Sequence, residues 1–265
     1  MPAAVTSAVI LLAALAIALL FARPVFVGFV ALLVVVASWE VAGAFARKGL
    51  VVMLPPIYLG GIAMVLTGAF VSSFWVMASL SLTFCAIVIW RLASTKLESS
   101  AVMDILASVF VAVYIPFTAS FVALISERSV SVWPVAFFVI IVVCNDLGGW
   151  MAGIMFGRHP MAPKLSPKKS WEGFAGSVIL TTLAGVGSTF VLEIPWWWGI
   201  LFGIFAAGLG TLGDLLESLI KREVGLKDMS AIVPGHGGLM DRLDSILFAA
   251  PAFYFLFALA LGWMG

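Results

Sequence analysis

The sequence is short of charge, of cysteine and of histidine. Only 10% of its 265 residues are charged, against 63% hydrophobic, and the mean hydropathy is +1.20. Soluble globular chains carry about 25% charged residues, so this composition excludes a water-soluble enzyme and points to a polytopic membrane protein. The two cysteines, Cys85 and Cys144, lie inside apolar runs with neither a CxxC pattern nor a histidine at ligand spacing. They read as small hydrophobes, and no disulfide or zinc site is expected. Of the two histidines, His159 has no ligand-spaced companion, and His236 stands between glycines, where a shape or hydrogen-bonding role outweighs metal ligation. No Gly-x4-Gly-Lys-Ser/Thr pattern occurs, which excludes a P-loop nucleotide fold. Internal repeats, low-complexity tracts and linkers are also absent. A net charge of +1 carries no information on partners, and no nucleic-acid partner is expected.

What the chain does have is apolar runs. Bounded by charge or turn residues, they predict helices near 3–21, 25–46, 50–70, 74–92, 101–125, 133–156, 172–192, 196–220 and 240–263. The expected fold is all-α, a single transmembrane domain of about nine helices with no soluble domain. Helices within 1–130 would form a scaffold and a lipid-facing region, and those within 131–265 would carry the site. The first run lacks a basic flank and a cleavage site, so a retained helix is expected rather than a signal peptide. With nine crossings, twelve of the fourteen Lys and Arg residues fall on the N-terminal side, and only Arg23 and Arg128 fall opposite. That bias predicts a multi-pass protein of the cell inner (plasma) membrane, with the N-terminus and basic loops cytoplasmic and the C-terminus outside. Trp133, Trp196, Trp197, Trp198 and Trp263 would line the outer interface, and Trp90 and Trp171 the inner one.

Against this background the polar exceptions stand out. Six of the thirteen carboxylates fall within 211–244. An Asp at the centre of a spanning helix costs about 2.5–3.5 kcal/mol on insertion scales, so such a cluster must be paired, metal-bound or facing water. Asp214, Glu217 and Lys221 fall at i, i+3 and i+7, and Asp241 and Asp244 at i, i+3, so each set shares a helix face. Carboxylates without soft ligands suit a hard cation, and Mg²⁺ held with substrate phosphates is the usual arrangement. Lys221, Arg222 and Lys227 supply phosphate contacts nearby. Gly208, Gly210 and Gly213 would let backbone or ligand approach the acidic face. Glu40 and Asp104 read as snorkelling groups or as having structural partners. Gly149, Gly153 and Gly157, at i, i+4 and i+8, read as a packing stripe. Taken alone, the basic loop around Lys168 and Lys169 signals topology or attraction to anionic lipid.

The run Ser218-Leu-Ile-Lys221-Arg222, then Lys227-Asp228, then Pro234-Gly-His236-Gly237-Gly238-Leu-Met-Asp241-Arg242-Leu-Asp244 resembles the signature of the phosphatidate cytidylyltransferases, or CDP-diacylglycerol synthases. Ser166-Pro-Lys168-Lys169-Ser170, followed by Glu172-Gly, is similar to a second motif of that family, and Asp146 with Gly149 and Trp150 to a third. Thr211 and Val233 stand where the family pattern has a Gln and a bulkier aliphatic residue. The resemblance implies attack of a lipid phosphate, phosphatidate, on the α-phosphorus of CTP in phospholipid biosynthesis. Asp214 and Asp241 would be principal Mg²⁺ ligands, with Asp146, Glu217 and Asp244 as further ligands or their supports. Lys221 and Arg222 would hold acceptor or leaving phosphates. Ser166, Lys168, Lys169 and Ser170 would serve the nucleotide side, and Glu172, Lys227, Asp228, His236, Gly237, Gly238 and Arg242 would line the substrate site. The resemblance also implies K⁺ as a second cation. A homodimer is an arrangement the sequence leaves open. Rival readings are a CTP-dependent polyprenol kinase, a cytidylyltransferase for another lipid phosphate and, from a different class, a secondary transporter.

Overall fold

The computed structural model describes residues 13–94, 101–129, 131–230, 232 and 237–263. Residues 13–21 are helical. Eight further helices follow: α1 (Arg23–Ala46), α2 (Leu54–Phe70), α3 (Ser73–Ala93), α4 (Ala101–Arg128), α5 (Trp133–Phe156), α6 (Trp171–Leu192), α7 (Trp197–Glu223) and α8 (Met240–Ala260). Among the described residues seven of these are long and apolar enough to cross a membrane. The exception, α2, has 17 residues, about 26 Å of helix against a hydrocarbon core of about 30 Å. Each of the nine predicted segments falls on helix in its described part, and the protein is polytopic. The first segment's residues 3–12 lie outside the described residues.

The helices form two compact units, the chain up to Glu127 with Glu223–Arg242, and Arg128–Arg222 with Leu243 onward. In the first unit, α2 is the close-packing element. A Cβ on Gly61 would stand 2.9 Å from the Pro116 side chain, and one on Gly68 would stand 2.9 Å from the Ser120 carbonyl. Pro116 has no N–H to give the helix ladder, and α4 absorbs this as a π turn over Val113–Phe117. The Thr118 hydroxyl donates to the Tyr114 carbonyl (2.6 Å) and the Ser120 hydroxyl to that of Phe117 (2.6 Å). Asp104 has structural partners, as expected. Its carboxylate meets Arg91 Nε at 3.3 Å and accepts from Val51 N at 2.9 Å, and Ser108 Oγ accepts from Met53 N.

In the second unit, α5 and α6 pack glycine on glycine. A Cβ on Gly148 would lie 2.6 Å from the Gly176 carbonyl; in the predicted stripe, one on Gly149 would lie 2.9 Å from Ser177 Oγ, and those on Gly153 and Gly157 3.7 and 2.9 Å from Ser170 Oγ, so the stripe is packing, as its spacing predicts. Phe138, Phe202, Phe253 and Phe257 form a fully buried aromatic core, with the 138–253 and 202–257 ring centroids each 4.9 Å apart. The basic stretch differs from the irregular loop expected of it. It is an antiparallel hairpin of β1 (Pro160–Ala162) and β2 (Ser166–Ser170). Glu172 clamps the hairpin to α6, accepting from Arg158 N (3.1 Å) and His159 N (3.2 Å) and meeting His159 Nδ1 at 2.5 Å. Ser170 caps α6 by accepting from Gly173 N.

Candidate active site

The acidic centre of the second unit is built on α7 and α8. Asp214 and Glu217 share a face of α7, and Asp244 comes from α8. One carboxylate oxygen of each lies within 4.8 Å of the others. Glu217 and Asp244 are buried, while the Asp214 side chain is 37% exposed. Two glycines of α7 make this approach feasible. A Cβ on Gly213 would stand 2.5 Å from the Asp244 carbonyl oxygen, and the Gly210 carbonyl accepts from Ser245 Oγ at 2.9 Å. Gly208, the third glycine ahead of Asp214, has nothing among the described residues within 4 Å of its missing Cβ.

Like charges at such separations repel by about 3–4 kcal/mol per pair at an effective dielectric of about 20. Two lysines offset this. Lys221 Nζ meets Glu217 Oε2 at 2.5 Å, one turn along α7, and Lys169 Nζ reaches Asp214 Oδ2 at 2.6 Å from β2 while also donating to the Thr211 carbonyl (3.3 Å). Arg222 donates through Nε to the Leu165 carbonyl at 3.3 Å, between the two strands. The hairpin therefore delivers one lysine to the acidic centre, and Lys168 beside it is exposed. Ser166 is half-buried and Ser170 buried.

Asp146 on α5 is close enough for its charge to act on Asp244. Its neighbour Asn145 is buried, donates from Nδ2 to Asp146 Oδ1 (3.1 Å) and rests against Gly210, where a Cβ would come within 2.8 Å of that nitrogen. Ser177 Oγ donates to the Asn145 carbonyl at 2.6 Å. Asn145 Oδ1 is buried and accepts no hydrogen bond among the described residues. A donor set of carboxylates, all hard and none of them sulfur or imidazole, fits Mg²⁺. Sequence reasoning singled out Asp146 and passed over Asn145; an amide adjacent to an intramembrane Asp was the available signal.

The remaining signature residues lie in the first unit. Asp241 Oδ2 accepts from Met229 N (3.0 Å) and Gly238 N (2.6 Å). Gly237 has φ +83°, a conformation that favours glycine, and a Cβ there would press on both Asp241 and Asp228. Lys227, Asp228 and Arg242 are exposed, and His236 and Val233 lie outside the described residues. Glu40 joins this segment from α1. It is 2% exposed and accepts from Ser230 Oγ (2.5 Å), Leu239 N (2.9 Å) and Met240 N (2.7 Å). Its reading as a group with a structural partner holds, and the partner is the start of α8.

The sequence profile of the cytidylyltransferase family matches residues 2–260. A Mycobacterium bovis protein named phosphatidate cytidylyltransferase is 38% identical over 255 residues, which are 91% of this chain and 83% of that protein. The Mycobacterium leprae protein of the same name is 37% identical over 262 residues, 93% and 84% of the two chains. The Bacillus subtilis one is 39% identical over 122 residues, 45% of each. Matched over nearly its whole length, with a carboxylate cluster flanked by lysines, this chain belongs to the cytidylyltransferase family.

Proposed function

We propose that the protein makes CDP-diacylglycerol and pyrophosphate from CTP and phosphatidate in the membrane. The observation that carries this reading is the meeting of Asp214, Glu217 and Asp244 with Lys169 and Lys221, in a chain 38% identical over 91% of its length to a protein named for that reaction. Asp214, Glu217 and Asp244 would hold Mg²⁺, supported by Asp146. Asp241, three residues before Asp244 on α8, is a further proposed ligand, and K⁺ beside Mg²⁺ is proposed on the family resemblance alone. When bound, Mg²⁺ supplies neutralisation of the triphosphate charge.

The chain's own groups do the rest. A phosphate monoester acceptor is already an oxyanion near neutral pH, so the reaction needs no strong base and no covalent intermediate. Its nucleophilic oxygen forms the new bond to the α-phosphorus as the bond to the pyrophosphate oxygen breaks. Two anions must meet for this, and their repulsion is what Lys169, Lys221 and Arg222 offset. Lys169 on the hairpin is assigned to the nucleotide side with Ser166, Lys168 and Ser170, and Lys221 and Arg222 to the acceptor or leaving phosphates. Holding both reactants in one geometry accounts for the remaining acceleration. The basic loops would face the cytoplasm, where CTP is found, with the C-terminus outside.

A kinase reading differs in which phosphorus moves. With α-labelled CTP, phosphatidate and Mg²⁺, the purified protein is expected to give a labelled lipid, and with γ-labelled CTP labelled pyrophosphate and unlabelled lipid. Label from the γ position appearing in a polyprenol phosphate would replace this reading with a CTP-dependent kinase.

A further inference from the structure

The entry to α8 is organised by a residue that the proposed chemistry does not use. Three consecutive amides at the entry to α8 are divided between two carboxylates. Gly238 N donates to Asp241 Oδ2 at 2.6 Å, whereas Leu239 N and Met240 N donate to Glu40 Oε1 and Oε2 at 2.9 and 2.7 Å. The first amides of a helix have no intrahelical acceptor, and Ser, Thr, Asn or Asp at the N-cap ordinarily supplies one. Here the acceptor comes from α1, 199 and 200 residues away, and it also binds the Ser230 hydroxyl at 2.5 Å. Both oxygens of Glu40 are thus occupied by the segment. Gly238 fits between the two acids only because it lacks a side chain. A Cβ there would stand 2.9 Å from Glu40 Oε1 and 3.1 Å from Asp241 Oδ2. A local hydroxyl would cap the helix at less cost than a carboxylate buried in a spanning helix.

We propose that Glu40 is a positioning residue, whose carboxylate fixes the first turn of α8 and, through Gly238, the direction of the Asp241 carboxylate. The inference rests on the proposed reaction only in its kinetic consequence. Its structural half is independent of that reaction.

The experiment compares wild type, Glu40→Gln and Ser230→Ala in lipid nanodiscs. Glu40→Gln keeps size and shape but presents an NH₂ donor to an amide donor, and Ser230→Ala leaves Glu40 its two backbone bonds. In metal-free protein, amide exchange at Leu239 and Met240 is expected to quicken at least tenfold in Glu40→Gln. Met229 and Gly238 should follow through Asp241, while amides of Trp133–Phe156 stay at their wild-type rates. The Mg²⁺ concentration for half-maximal turnover should rise at least fivefold, a shift that mere loss of folded protein does not produce. Ser230→Ala should change both readings in the same direction by a smaller factor, and it decides the matter if Glu40→Gln does not fold. Exchange at Leu239 and Met240 unchanged, or faster to the same degree throughout the chain, overturns the proposal, as does an unmoved Mg²⁺ midpoint in an active variant. A wild type that labels no lipid refutes the proposed reaction instead, and leaves the exchange result to judge Glu40.

Discussion

Replacing Gly213 by alanine tests whether helix approach, as distinct from any charged group, sets the acidic centre. The added methyl would lie 2.5 Å from the Asp244 carbonyl oxygen, 3.0 Å from its carbon and 2.9 Å from Phe248 Cβ. Ordinary contact begins near 3.4 Å, so α8 must retreat by about 1 Å at the residue that supplies the third carboxylate. Overpacking of this kind costs about 1–3 kcal/mol. Alanine's better helix propensity returns up to about 1 kcal/mol, leaving a net loss of about 0–2 kcal/mol. The effect on rate should be larger, because a misplacement of about 1 Å in a positioned site costs on the order of 100-fold, or about 2.7 kcal/mol. Gly208→Ala is the internal control, since its methyl meets nothing among the described residues within 4 Å. Initial rates of lipid labelling from α-labelled CTP, with thermal unfolding in the same detergent, are expected to show Gly213→Ala about 100-fold slower but nearly as stable. Gly208→Ala should match wild type in rate and equal or exceed it in stability. A Gly213→Ala enzyme within threefold of wild type would refute the argument that this contact sets the geometry.

Asp244→Asn should abolish turnover. The stabilisation by Mg²⁺ expected of wild type, about 2.7 kcal/mol at 100 times its dissociation constant, should vanish in the variant, and equal Mg²⁺-induced shifts in both proteins would remove Asp244 from the metal site. Asp104→Ala should cost about 3–5 kcal/mol in denaturant unfolding, since it strips the buried Arg91 of that carboxylate and Val51 N of its acceptor, with the rate per folded molecule unchanged; a loss below about 1 kcal/mol would show the pair to be dispensable. Single cysteines at Lys168 and Trp197, in a background lacking Cys85 and Cys144, should react with an impermeant reagent from opposite sides of sealed vesicles. Reaction from one side would contradict the proposed orientation.

The spanning helices were legible because each must satisfy its backbone internally and present apolar side chains to lipid, so hydropathy alone marks them. Asp214 and Glu217 were legible as a pair because helix spacing places them on one face. The hairpin was not, since Ser166-Pro-Lys168-Lys169-Ser170 has no apolar alternation, and its pairing is held by Glu172 beyond the strand. Nor was the π turn foreseen, although Pro116 in the middle of an apolar run was a local sign of it. Glu40 acts through contacts with residues distant along the chain, which no local pattern records. For Asp241, spacing gives the face it shares with Asp244, whereas its two amide donors become visible only with the loop in place.

The bonds from Glu40 to Leu239 and Met240 also set a clock on biogenesis. At about 5–20 residues per second, a ribosome needs roughly 10–40 seconds to travel the 199–200 residues from the first partner to the second. Throughout that interval α1 carries a carboxylate whose eventual donors have not yet been made. It must enter the bilayer protonated, remain near the headgroups or be sheltered by the insertion machinery until the start of α8 has been made, so α1 settles only when α8 arrives.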